Sequence, residues 1–190
     1  MIPAAYQNFV IASTQASAAL IGLLFVAITL APERVFGEQA ESGRQARALS
    51  AFTALANIFF ISFSILIPDV NVGLVVTLVG GVSILQTLGL LLLLRHWSSQ
   101  GVLWRSLFLF LGSLAIYGGE IAVGVQIWNK PANPGALSGI LELLLGAFAI
   151  GLGRAWEILG APRMGFVSRL LERLDRGTKP PPGKPPQSGG

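Results

Sequence analysis

Cysteine is absent from this 190-residue chain, and histidine occurs once, at His96. Without cysteine there are no disulfides and no thiol redox chemistry. One histidine and no thiolate cannot supply the ligand set of a zinc site. Two-histidine haem ligation within one chain is likewise excluded, so no metal and no cofactor is expected. His96, between Arg95 and Trp97, reads as an ordinary interfacial side chain. Catalytic signatures are missing too: there is no G-x-S-x-G elbow, no H-E-x-x-H pair and no Gly-rich phosphate loop ending in Gly-Lys-Ser/Thr. A Ser–Lys dyad would need a lysine at depth, and Lys130, Lys179 and Lys184 all lie outside the apolar stretches. The chain is not expected to be an enzyme.

Charge is also scarce. Only 12% of residues are charged and 53% are hydrophobic, with a mean hydropathy of +0.68, whereas soluble domains carry about 25% charged residues. The charges are segregated, leaving long uncharged runs that a soluble core of this size could not bury. A bilayer, by contrast, asks for about 20 apolar residues per helix. Five such runs occur, at residues 9–30, 48–67, 71–94, 104–128 and 137–152. Their apolarity is continuous rather than alternating, which excludes a β-barrel and leaves helices, whose backbone groups bond internally in lipid. The first run has no Lys or Arg before it and is longer than the apolar stretch of a signal peptide, so it reads as a retained helix. The expected fold is an all-α polytopic membrane protein with five transmembrane helices.

Lys and Arg set the expected orientation. Arg34, Arg44 and Arg47, then Arg95 and Arg105, then Arg154, Arg163, Arg169, Arg173, Arg176, Lys179 and Lys184 fall on one side of an alternating five-pass chain, and only Lys130 falls on the other. By the positive-inside rule the crowded side is cytoplasmic, which puts the N-terminus out and the C-terminus in. Trp97, Trp104, Trp128 and Trp156 lie at or near predicted helix ends, with Tyr6 at the outer end of the first, as an interfacial aromatic belt requires. The domain reading is a five-helix unit over residues 1–162. An amphipathic cytoplasmic helix over 163–176 follows, lying on the inner leaflet or capping the bundle or a second subunit. A solvated Pro/Gly/Lys tail over 177–190 ends the chain. The net charge of +4 is concentrated where topology explains it, so nucleic acid is not an expected partner.

Polar residues inside a span cost free energy and need a reason. In the first helix Gln15 lies among Ala12, Ala16, Ala19 and Gly22, a small-residue stripe expected to take a neighbouring helix. Ser50, Thr53, Asn57 and Ser64 fall on one side of the second, and Gly80, Ser83, Gln86 and Thr87 mark the third. Asn57 and Gln86 are therefore the candidates for polar helix packing. Glu120 shares a face with Ser113, Tyr117 and Gly124, and Glu142 shares one with Gly146, Ala149 and Gly153. The expectation is an outer-leaflet polar cluster of Gln15, Glu120, Glu142 and Tyr117. Two close carboxyls there would not both ionise, and the cluster could bind a cation or relay protons, or serve only packing. Arg154 and Glu157, three residues apart, read as a surface pair.

The run QASAALIGLLFVAITL at residues 15–30, followed by a charged loop and Arg47-Ala48-Leu49, resembles a family of small uncharacterised bacterial multi-pass membrane proteins. Members open with a small-residue helix ending in a similar Gly-Leu-Leu-Phe-Val-Ala run, and the likeness covers the first third of the chain. It implies a bacterial cytoplasmic (inner) membrane. Two functional classes follow. One is a non-catalytic accessory or scaffold protein that assembles with itself or with a larger membrane complex; the other is a small ion or proton conduction or sensing module built on Glu120 and Glu142.

Overall fold

The computed structural model describes residues 4–30, 32, 42–97, 103–131 and 133–158. They form α1 (Ala4–Leu30), α2 (Ser42–Leu66), α3 (Val72–Trp97), α4 (Leu103–Asn129) and α5 (Pro134–Ile158). Each contains a span long and apolar enough to cross a membrane: Tyr6–Leu30, Gln45–Leu66, Val72–Leu92, Phe110–Asn129 and Gly135–Trp156. Among the described residues the fold is all-helical, and by the length and composition of these helices the chain is a multi-pass membrane protein. It divides into Met1–Leu159 and Gly160–Gly190. The amphipathic helix and tail read at 163–176 and 177–190 lie outside the described residues.

The turns are short because the sequence stops and restarts each helix sharply. After α2, Pro68 cannot continue the helical ladder and Asp69 adopts a left-handed conformation with φ 60°, a region that Asp tolerates better than most residues. Asn71 then caps α3, its Oδ1 accepting from the Leu74 N–H at 3.1 Å. Asn133 does the same for α5 through the Gly135 N–H at 3.1 Å, with Pro134 in the first helical position, where its missing N–H costs nothing.

Helix α2 is the centre of the bundle. It packs on α1, α3 and α5, while α4 packs on α3 and α5, so α2 to α5 form a closed ring and α1 lies outside it against α2. Burial follows this order: 61% of the apolar window of α2 is buried against 22% for α1. The main core joins Leu55, Ile58 and Ile61 of α2 to Val76 of α3, Ile140 and Leu144 of α5 and Val10 of α1. A smaller cluster of Ala46, Leu90 and Phe110 fills the other end. The exterior is apolar, with Leu23, Leu85, Leu92 and Leu145 each 62–70% exposed. That is the surface a helix presents when its solvent is hydrocarbon.

Helices α3 and α4 approach most closely at two glycines. A Cβ on Gly73 would collide with the backbone of Trp128 and Gly124, and one on Gly124 would stand 2.6 Å from Thr77 Oγ1. Small residues at a crossing let membrane helices make backbone contact, the packing that replaces a hydrophobic driving force in lipid. Replacing Gly124 by leucine is therefore expected to cost at least the roughly 1–3 kcal/mol of ordinary overpacking. Gly118→Ala, where nothing stands within 4 Å, is expected to stay within about 0.5 kcal/mol of the parent. Thermal unfolding in detergent, followed by circular dichroism, reads both.

Candidate functional site

Hydroxyl side chains in this bundle mostly satisfy themselves on their own helix. Ser17 donates to the Ser13 carbonyl at 2.7 Å, Ser64 to Ile61 at 2.8 Å, Thr77 to Gly73 at 2.8 Å and Thr87 to Ser83 at 2.7 Å. This back-bonding is open to short side chains only. The Asn57 amide instead reaches across to other helices.

Asn57 does so twice. Its Nδ2 donates to Ser83 Oγ of α3 at 3.1 Å and to Glu120 Oε2 of α4 at 2.7 Å. One amide thus ties three helices at one level. Glu120 is fully buried, and Asn57 is 2% exposed. Gly80 faces α4 beside the acid, where a Cβ would lie 3.1 Å from Ile121 Cγ1 and 3.2 Å from the Tyr117 carbonyl. Two acceptor atoms at this centre, Asn57 Oδ1 and Glu120 Oε1, have no hydrogen-bond partner.

A second interhelical contact lies one turn away on α2. Thr53 Oγ1 is 2.8 Å from Gln86 Oε1 on α3 and 2.8 Å from the Leu49 carbonyl of its own helix. With the Gln86 amide turned to present its NH2, both contacts are hydrogen bonds. Thr53 and Gln86 line an open groove of about 410 Å³ between α2 and α3, together with Leu49, Phe52, Gly89 and Leu90.

Along α4, the buried stripe continues from Glu120 through Tyr117 and Ser113 to Phe110. Tyr117 lies within electrostatic reach of both Glu120 and Arg154, and the Arg154 guanidinium sits over the Phe110 ring, 4.9 Å from its centroid. Arg154, only 2% exposed, is therefore an interior residue rather than a surface one; the Glu157 side chain, read as its partner, lies outside the described residues. Its place was legible, because Arg154 continues the spacing of Ile140, Leu144, Ala147 and Gly151, all buried on α5.

The structure does not bring Glu142 or Gln15 to Glu120. On α5, Leu143 and Gly146 pack against Gly119 and Ile116 of α4, and Gly151 packs against Leu55 and Ala54 of α2. Glu142 belongs to the remaining stripe, exposed with Leu145, Ala149, Leu152 and Trp156. Gln15 is exposed as well, and so are Ala12, Ala16, Ala19 and Gly22. The small-residue stripe expected to take a neighbouring helix thus faces outward, and α1 meets α2 through Val10, Ser13, Ser17 and Leu24 instead. Of the four residues read as one polar cluster, Glu120 and Tyr117 are together inside the ring. The partner of Glu120 is Asn57, read only as a packing residue, which also donates to Ser83.

Among the described residues no group of three or more His, Asp or Glu side chains is placed to hold a metal ion. Comparison of the chain with protein-family profiles, with curated proteins and with solved structures finds no match.

Removing the Asn57 amide leaves Glu120 without its bond, so Asn57→Leu is expected to cost about 1–3 kcal/mol, the penalty of a buried polar group left unsatisfied. Thr53→Val removes one interhelical contact and is expected to cost about 0.6 kcal/mol, the average for such bonds in membrane bundles. Glu142→Gln is expected to be neutral within about 0.5 kcal/mol. Equilibrium unfolding of the three variants in mixed micelles gives the ranking.

Proposed function

We propose that this chain is a non-catalytic subunit of the bacterial inner membrane that acts in assembly or as a scaffold, bound through α1 to a second copy or to a larger membrane complex. The observation that carries the reading is the outward face of α1. Asn8, Ala12, Gln15, Ala19, Gly22 and Val26 are all exposed and recur at alternating steps of four and three, the spacing of a helix-pairing seam. Hydrocarbon gives the Gln15 carboxamide no partner, whereas a second helix laid on small residues does. The opposite face of α1 is already used by α2, and among the described helices no other packs on this seam.

The bacterial setting rests on the resemblance carried by residues 15–30. The orientation rests on charge: N-terminus out, C-terminus in, with Lys130 outside and Arg95 inside. Conduction through a Glu120/Glu142 cluster is the weaker reading, because Glu142 is exposed on the outside of the bundle and Glu120 is fully buried.

The absence of cysteine makes both points testable with single introduced thiols. In intact cells, Asn129→Cys is expected to react with a membrane-impermeant maleimide, and Ser99→Cys only after permeabilisation; the reverse pattern would overturn the orientation. Affinity purification from native membranes is expected to recover a stable companion or a second tagged copy. Gln15→Leu is expected to lower that recovery several-fold while leaving the yield of folded monomer unchanged. Recovery of monomer alone from both forms would remove the assembly reading.

A further inference from the structure

The centre between α2, α3 and α4 has a specific deficit. Asn57 spends both of its N–H donors, one on Ser83 Oγ and one on Glu120 Oε2. What remains without a partner is a pair of acceptors, Asn57 Oδ1 and Glu120 Oε1. Each belongs to a planar group whose other heteroatom is already joined to its counterpart at 2.7 Å. A carboxylic acid and a primary amide placed this way close an eight-membered ring when one proton sits on the acid. The N–H donates to one carboxyl oxygen, and the O–H on the other donates to the amide oxygen. The two orphaned atoms are the two that this proton would join.

We propose that Glu120 and Asn57 form a binding site for a single proton, held between Glu120 Oε1 and Asn57 Oδ1, so that α2 and α4 are bridged by a neutral, two-bond acid–amide ring. Among the described residues the groups beside the acid carry no positive charge. From α2 and α3 they are the uncharged Asn57, Ser83 and Gly80. On α4 the neighbour is Tyr117, one turn away. From α5, Arg154 is held over Phe110 and reaches Tyr117 electrostatically, while Glu120 Oε1 takes no hydrogen bond from it. A carboxylate here would be a buried charge without a partner ion, the costliest state for such a group. The proposal does not depend on the assembly reading: it concerns the interior of the ring, and α1 lies outside it.

Infrared difference spectroscopy of the full chain in lipid vesicles near neutral pH tests it, with Glu120→Gln as the reference. The amide of that variant can close the same ring with an N–H in place of the O–H. The expected result is a carboxylic-acid C=O band in the wild type, sensitive to deuterium exchange and absent from Glu120→Gln, with the two proteins unfolding at the same temperature. A difference spectrum containing only carboxylate bands would overturn the proposal. So would an acid band that disappears when choline is replaced by sodium or lithium, since the occupant would then be an alkali cation. Failure of Glu120→Gln to fold also counts against it, because a site built for the neutral acid accepts the neutral amide.

Discussion

One buried carboxamide, that of Asn57, joins α2 to α3 and α4 at the same level. In water such bonds would trade against solvent; in hydrocarbon the alternative to pairing is an orphaned polar group costing several kcal/mol. The rest of the ring is consistent with this one requirement. Gly80 lets α3 lie close to α4 beside Glu120, where a larger side chain would press on Ile121 and the Tyr117 carbonyl. Gly73 and Gly124 draw α3 and α4 together toward one end. The apolar contacts of α2 with α5 complete the ring on the side where no polar partner is offered. Packing sets the distances, and the amide sets which faces meet.

Much of the architecture was readable in the chain because its determinants are local. Span length, continuous apolarity and the proline-asparagine punctuation at residues 68–71 and 133–134 do not depend on which helix lies next to which. The polar spacing of α2 and α4 also names a face, and Asn57, Ser113 and Glu120 all turn inward on it. Periodicity cannot say what a face is turned toward. The stripe of Ala12, Gln15, Ala16, Ala19 and Gly22 on α1 and the stripe of Glu142 on α5 have the same kind of spacing as the stripe of Glu120. They face outward because α1 sits on a single neighbour and α5 spends its two other faces on α2 and α4. Arg154 shows a second effect: a cation near a helix end suggests a surface side chain, yet its guanidinium is buried over the aromatic face of Phe110.

The two faces of α1 divide its roles. Its inward stripe joins the main core through Val10 and is closed by hydroxyls that bond their own backbone. Its outward stripe carries the carboxamides and the smallest side chains. A helix surrounded only by lipid gains nothing from that arrangement, since large aliphatic side chains would be better solvated there. The exposed faces of the ring helices follow the lipid preference, with leucine, valine and phenylalanine outermost.

The sequence distance between the joined residues also bears on how the protein is made. Asn57 is 26 residues from Ser83 and 63 from Glu120, and chains emerge from the N-terminus. When α2 first enters the bilayer its amide has no partner; α3 brings the serine, and the acid arrives only with α4. Until then the amide is solvated by water at the insertion site or by its own backbone, so α2 is poorly committed to its final tilt. Assembly of the ring therefore waits on the fourth helix, and nascent chains stalled before it are the form most exposed to quality-control proteolysis.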